Sequence, residues 1–278
     1  MTRTAFMTQF RKETIMGFEK EDSLLASLCT QEIVVSGNIA TFLVADSGGA
    51  TATTRGVNGE IPARTDNLNQ FECVLTEEHD LVERTGFNLF ASQGEGRRIM
   101  QMTSRSVINR RKDEIVYNAL SAATNTWGAA AVATLPLILR AKARLNMASV
   151  LNKRDRLSAS ITPAFHAKLM ELEQFTSADY VKMEKFEGVG KDRAFAWLGV
   201  DWVVDEAAPG AGTAASSNYL FHKAAIGCGM DSEGMKIEAD YEEKQDRSWA
   251  RCSVYMGSKL LQNSGVINML HNDAVVLG

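Results

Sequence analysis

Hydrophobic and polar positions change their spacing several times along the chain, and each change marks a different element. Up to about Gly37 the chain is helix-prone: Phe6 and Phe10 stand one helical turn apart, and Phe18, Leu24, Leu25 and Leu28 continue a narrow apolar stripe. A terminal helix with so narrow a stripe has to dock on something beyond itself. Ile39 to Ala45 reads as a strand ended by Asp46-Ser-Gly-Gly49. From Asp46 to Asn69 the only large apolar side chains are Val57, Ile61 and Leu68. Asn58-Gly59 offers the positive φ angles of a tight hairpin turn, and Pro62 confines its strand to an edge. Gln70 to Leu81 returns to strand propensity. The pattern predicts a long hairpin arm that buries almost nothing of its own. A two-stranded ribbon alone is marginal in water, so its order must come from packing on something else.

Ser92-Gln-Gly-Glu95 has the form of a capping box, and nothing after Gly96 breaks a helix before about Ala122. Ile108, Ile115 and Ala119 share one face of it, and Met102, Val116 and Leu120 the next. Such a helix would extend roughly 46 Å, against a radius of gyration near ~19 Å for a compact globule of this size. Its middle, Asn109-Arg-Arg-Lys-Asp-Glu114, is polar on every side, which suits the face of a flat plate. Beyond it the pattern alternates. A helix is expected over Leu135–Asn146, a strand over Leu157–Ile161, and a helix capped by Thr162-Pro163 through Leu172. Further strands follow at Ala194–Val204, Tyr219–Gly227, Lys236–Tyr241 and Ser248–Leu261, with the small-residue loop Pro209–Ser217 between two of them. Strands and helices in no regular βαβ order define an α+β fold.

Composition narrows the function. The 278 residues are 45% hydrophobic and 23% charged, with a net charge of -4, an ordinary globular balance. No apolar run is long enough to span a membrane, and the charged stretch from Gln9 to Glu21 rules out a signal-peptide core. Cys29, Cys73, Cys228 and Cys252 share no CxxC spacing and read as reduced and buried. His79, His166, His222 and His271 stand far apart, so neither a metal site nor a cofactor is expected; His222, in an apolar run, reads as structural. Gly188-Val-Gly190-Lys191 lacks the earlier glycine and the following Ser/Thr of a phosphate loop, and no serine sits in a GxSxG elbow. No catalytic residue is assigned. Between Ala91 and Arg156 twelve Lys/Arg face four Asp/Glu, a local balance of +8 that leaves -12 for the remainder. Arg97, Arg98, Arg105, Arg110, Arg111 and Lys112 put a basic stripe on the long helix that could face a polyanion or pair with acidic neighbours. Tyr117 is the helix's one aromatic residue and no base-reading motif accompanies it, so sequence-specific recognition is not expected.

The order of these elements resembles the tailed-bacteriophage major capsid proteins of the Hong Kong 97 fold. The residues that carry the resemblance are Thr54-Arg-Gly-Val-Asn-Gly-Glu-Ile-Pro62 with Asp66-Asn-Leu68 in the arm. Ser92-Gln-Gly94 with Arg98 and Met100-Gln101 opens the helix, and Gly257–Val266 (GSKLLQNSGV) closes the last strands. The resemblance implies an N-terminal arm over 1–37, an extended loop over 38–86, a peripheral domain from 87–124 and 236–278, and an axial domain over 125–235. It implies pentamers and hexamers of this chain closing into an icosahedral virion shell around double-stranded DNA, put together in the host bacterial cytoplasm. Inter-subunit contacts would come from Thr54, Arg55, Asn58, Gly59, Glu60, Ile61 and Pro62 in the loop and from Phe6 and Phe10 in the arm.

The arm is expected to begin within a few residues of Met1, which calls for a separate scaffolding protein beside a portal and, where the head carries one, a decoration protein. Some relatives of this fold join subunits through a lysine on the extended loop. Here no lysine occurs between Lys20 and Lys112, so a non-covalent shell is expected. The competing readings are a bacterial nanocompartment shell protein, a small α+β hydrolase with a convergent nucleophile and base, and a non-specific nucleic-acid-binding protein.

Overall fold

The computed structural model describes residues 20–91 apart from 21, 35, 48, 56, 58, 60, 62 and 65, and then 96–150, 156–176 and 194–277. After a 3-10 turn at Leu25–Leu28 come strands β1 (Thr30–Val34), β2 (Ile39–Asp46), β3 (Asn67–Val74) and β4 (Thr76–Thr85). Helices α1 (Gly86–Ala91) and α2 (Gly96–Ser121) follow, then β5 (Thr126–Ala131), α3 (Leu135–Met147), β6 (Leu157–Ile161), α4 (Pro163–Met170) and α5 (Glu173–Thr176). The remainder is β7 (Ala194–Trp197), β8 (Val200–Val204), β9 (Ser216–His222) and β10 (Ile226–Asp231), then β11 (Lys236–Glu242), β12 (Arg247–Leu260), β13 (Val266–His271) and α6 (Ala274–Leu277).

The chain forms two compact units. The first comprises Met1–Ser23, Glu77–Arg111 and Glu233–Tyr255. In it β11 runs antiparallel to β12 from Lys236↔Ser253 to Glu242↔Arg247, and β4 pairs with β12. Period-two alternation sends Ser248, Ala250, Cys252 and Val254 inward. The outward positions of β12 carry arginines held by carboxylates: Arg247 by Glu83 and Glu242, and Arg251 by Glu238. The first half of α2 lies along β4, where Ser104 Oγ donates to the Asp80 carbonyl at 3.1 Å and Arg111 pairs with Glu78 at 3.0 Å.

The second unit, Leu24–Thr76, Lys112–Ser232 and Met256–Gly278, carries the main core. Its six-stranded mixed sheet has the order β5-β13-β9-β6-β8-β7. All of β6 is buried, as expected of a central strand. Phe165, Phe175, Phe195, Trp197 and Trp202 interlock in stacked and edge-on pairs beside it, with Trp202 Nε1 donating to the Trp197 carbonyl at 3.0 Å. In the second half of α2 Val116, Tyr117 and Leu120 are buried, and Tyr117 meets the sheet at Ser160 of β6 and Tyr219 of β9. In the same unit β1 pairs in parallel with β10, β10 pairs antiparallel with the end of β12, and β2–β3 form a separate two-stranded hairpin.

Several expectations need correction. The stretch before Gly37 is not helical throughout: Thr30–Val34 is a strand, because its β-branched residues favour the pleated conformation alongside β10. The hairpin strands stop at Asp46 and Asn67, and no strand is found around Pro62 among the described residues; Gly59 takes a positive φ of 77°, while Asn58 lies outside the described residues. The expected strand Gln70–Leu81 breaks at Leu75 into β3 and β4. The long helix has 26 residues, Gly96–Ser121, or about 39 Å. The capping box lies outside the described residues. The middle of α2 is not wet on every side: Asn109 and Asp113 are buried. The expected strands Ala194–Val204 and Tyr219–Gly227 each resolve into two, and β5 and β13 had no forecast.

Candidate functional site

The hairpin's two faces differ in chemistry. Along β2 the buried positions Ala40 and Phe42 alternate with outward Ile39, Thr41, Leu43 and Ala45. The register places Val74 opposite Ile39, Gln70 opposite Leu43 and Leu68 opposite Ala45, so the outward face combines apolar side chains from both strands. Leu43 is 64% exposed and Leu68 65%. In the loop beyond, Thr54 and Arg55 are exposed, Ile61 is 69% exposed, and Gly59 is partly covered. Arg55 Nε donates to the Gly59 carbonyl at 2.9 Å, and Arg64 pairs with Asp66. The loop thus spends both its arginines on its own chain. Asn58, Glu60, Pro62 and the arm residues Phe6 and Phe10 lie outside the described residues.

The basic stripe on α2 is only partly open. Arg105 pairs with Asp22 at 3.0 Å and Arg111 with Glu78, while Arg98 and Arg110 are exposed and Lys112 is half-buried. Nothing is described of the Arg97 side chain. Arg105 and Arg111 thus have carboxylate partners within their own unit.

A buried polar cluster brings together residues far apart in the sequence. Asp273 Oδ1 accepts from Ser216 Oγ (2.6 Å), His271 Nδ1 (2.6 Å) and Thr162 Oγ1 (3.1 Å), and its Oδ2 accepts from the Gly212 amide (3.0 Å). Thr162 also caps α4, its Oγ1 accepting from the Phe165 amide at 3.2 Å as the Thr-Pro pair predicts. Serine, histidine and aspartate meet here, as a hydrolase would need. The geometry is wrong for one: serine and imidazole share the same carboxylate oxygen, where a triad places the imidazole between the other two. All three are buried, and His271 Nε2 has no hydrogen-bond partner. The cluster can hold a loop, a helix start and the last strand together; it cannot pass a proton to a substrate. Of these residues only Thr162 carried a signal in the sequence, since the others act through long-range contacts.

Other polar groups are equally committed. Tyr117 Oη lies 2.6 Å from Ser160 Oγ and donates to Asp205 Oδ2 at 3.0 Å; burial and the neighbouring Asp205 charge push its phenol well above 10. His222 is buried and caps a turn, its Nδ1 accepting from the Ala224 amide at 3.1 Å. The four cysteines are buried free thiols, and burial raises Cys228 to about 12. Among the described residues no three His, Cys, Asp or Glu side chains are placed to hold a metal ion, and no helix is long and apolar enough to cross a membrane.

Residues 2–273 match the family model for phage capsid protein. The chain belongs to the phage capsid protein family. No curated protein matches it, but solved structures share its fold. A chain of Mycobacterium phage Che8 superposes with a TM-score of 0.73 at 14% identity, covering 96% of this chain and 98% of that one. The capsid of cyanophage P-SCSP1u gives 0.72 at 13% identity, over 96% and 93% of the two chains. The capsid of Ralstonia phage GP4 gives 0.71 at 11%, over 97% and 96%. The α+β fold is the Hong Kong 97 type, and the chain is a major capsid protein, a structural component of the phage head. The nanocompartment reading is not favoured.

Proposed function

We propose that this capsid protein self-assembles as pentamers and hexamers into an icosahedral head around double-stranded DNA. The observation that carries the reading is the extended loop: Ala40, Phe42, Cys73 and Leu261 form the small cluster that anchors the hairpin, while Leu43 and Leu68 on its other face and Ile61 in the loop beyond are exposed. Exposed apolar side chains gathered on one hairpin face mark an interaction site. The neighbouring subunit supplies the missing partner, through the extended loop over 38–86 and the arm over 1–37, with Thr54, Arg55, Asn58, Gly59, Glu60, Ile61, Pro62, Phe6 and Phe10 at the contacts. The peripheral domain takes 87–124 and 236–278, and the axial domain 125–235. Arg97, Arg98, Arg110 and Lys112, with Arg105 and Arg111 behind their carboxylates, give the inner surface a basic character toward packaged DNA, without sequence preference. A separate scaffolding protein and a portal complete assembly in the host cytoplasm, and decoration proteins add to some heads. No catalysis is part of this role.

Negative-stain electron microscopy of the protein expressed alone and with its neighbouring genes tests the reading. Closed uniform shells that package DNA support it. A monomer under both conditions, or shells filled with a cargo enzyme, would overturn it.

A further inference from the structure

Helix α3 is apolar on two sides, and its own unit covers one of them. Ile138, Ala141 and Leu145 are buried in the aromatic core, and the helix packs on β13 and β5. On the opposite side Pro136, Leu139, Ala143 and Met147 are exposed, Leu139 to 46% and Met147 to 88%. These four follow one another at i, i+3, i+7 and i+11, the spacing of the seam along which two helices pack. The seam runs about 16 Å, or three turns of helix. A helix with apolar side chains on both sides is normally covered on both.

The charges beside the seam have one sign. Arg140 and Arg144, one turn apart, stand along one flank of it and are exposed. The Arg144 guanidinium lies over the Trp127 ring, 5.2 Å from its centroid, which holds it at that flank. Among the described residues no carboxylate pairs with either arginine. Lys142, toward the opposite flank, donates to the Leu198 carbonyl. Between Ile115 and Met170 the chain has seven Lys/Arg and a single acid, Asp155.

Such a face fits one kind of partner better than another. Duplex DNA would meet the arginines but leave Leu139 and Met147 against a phosphate backbone that offers nothing apolar. An amphipathic helix meets both, with apolar residues in the seam and carboxylates opposite the arginines. The undescribed segments of this chain do not have that character. Residues 1–19 carry three Lys/Arg against two acids, and residues 177–193 four against four, so neither is acidic. We propose that the exposed face of α3 docks an acidic amphipathic helix of another protein, with Leu139 and Met147 as apolar anchors and Arg140 and Arg144 selecting the partner's charge. The inference goes beyond the assembly reading: the contact forms on a single subunit and stands whether or not shells close.

Fluorescence anisotropy on the full-length unassembled subunit tests it. The probe is a labelled three-heptad peptide with leucine at the a and d positions and glutamate at e and g, whose like charges keep it from pairing with itself. The comparison probes are the same peptide with lysine at e and g, and a short labelled DNA duplex. The glutamate peptide is expected to bind about ten-fold more tightly than the lysine peptide, and more weakly as salt is raised. Arg140→Glu with Arg144→Glu should weaken it by about ten-fold and turn the preference toward the lysine peptide. Leu139→Gln with Met147→Gln should weaken both peptides. Absent binding of the glutamate peptide, equal binding of the two peptides, or undiminished binding by the arginine variant would overturn the proposal. A duplex that binds through Arg140 and Arg144 where the glutamate peptide does not would make the face a nucleic-acid surface, and the proposal would fall. The wild-type comparison of the two peptides decides the matter even if a variant does not fold.

Discussion

Asp273 gathers four donors onto one buried carboxylate, and its charge state should be visible in the stability of the whole subunit. Burial alone pushes this carboxyl up, but hydrogen bonds from Ser216, His271, the Gly212 amide and Thr162 outweigh it and hold it below the ordinary 3.8. A depressed folded value means stability that is present above pH 3.8 and lost as the pH falls through the folded value. The thermal midpoint of the wild-type subunit should therefore drop steeply below about pH 4. Asp273→Asn should lower stability at pH 7 by about 3 kcal/mol, because one amide cannot accept from every donor, and should flatten the acid limb. Denaturant melts of both proteins at pH 7 and pH 3 check both outcomes; equal acid sensitivity would show that other carboxylates carry the effect. Tyr117 is a second case. Tyr117→Phe removes the donor to Asp205 and the bond with Ser160, and should cost about 2 kcal/mol by the same melts.

At the scale of elements, the hairpin invites the sharpest separation between folding and function. Leu43 and Leu68 point away from the cluster that anchors the strands, so charges there meet water in the free subunit. Leu43→Glu with Leu68→Glu should change subunit stability by no more than about 0.5 kcal/mol, as surface substitutions do. The same pair should abolish shells in electron micrographs, since the buried contact would then hold unpaired carboxylates. Shells of wild-type yield would exclude this face from the contacts. Elements with strong local signals were legible in the sequence: β6, the Thr162 cap and α3 fall where periodicity puts them. The misplaced ones depend on distant partners. Thr30–Val34 continues an apolar stripe that also fits a helix, and only β10 makes it a strand. The polar middle of α2 looked solvent-facing, yet Asp113 Oδ1 accepts from the Leu25 amide at 3.3 Å. Leu24 has no capping side chain of its own, so the carboxylate of another helix fills that role for the turn. Nothing local distinguishes such an acceptor from a wet one.

For the whole molecule, the question is what holds copies together once they meet. A covalent shell would need a nucleophilic amine where subunits interlock, and the hairpin region offers none. Between Lys20 and Lys112 the chain has no lysine, and the arginines of the loop, Arg55 and Arg64, are engaged with the Gly59 carbonyl and Asp66. A guanidinium is in any case permanently protonated and a poor acyl acceptor. The cysteines offer no substitute, because all four are buried free thiols. On the proposed non-covalent reading, cohesion comes from buried apolar area summed over many copies, at about 25 cal/mol per Å². Each contact can be individually weak and reversible, which lets misplaced subunits leave before the shell closes. Mature particles boiled in detergent should accordingly run as a single band of this chain near 30.4 kDa, with no ladder of higher multiples. A ladder would sink the non-covalent reading and send the search for the nucleophile to lysines outside the loop, beginning with Lys20 and Lys112.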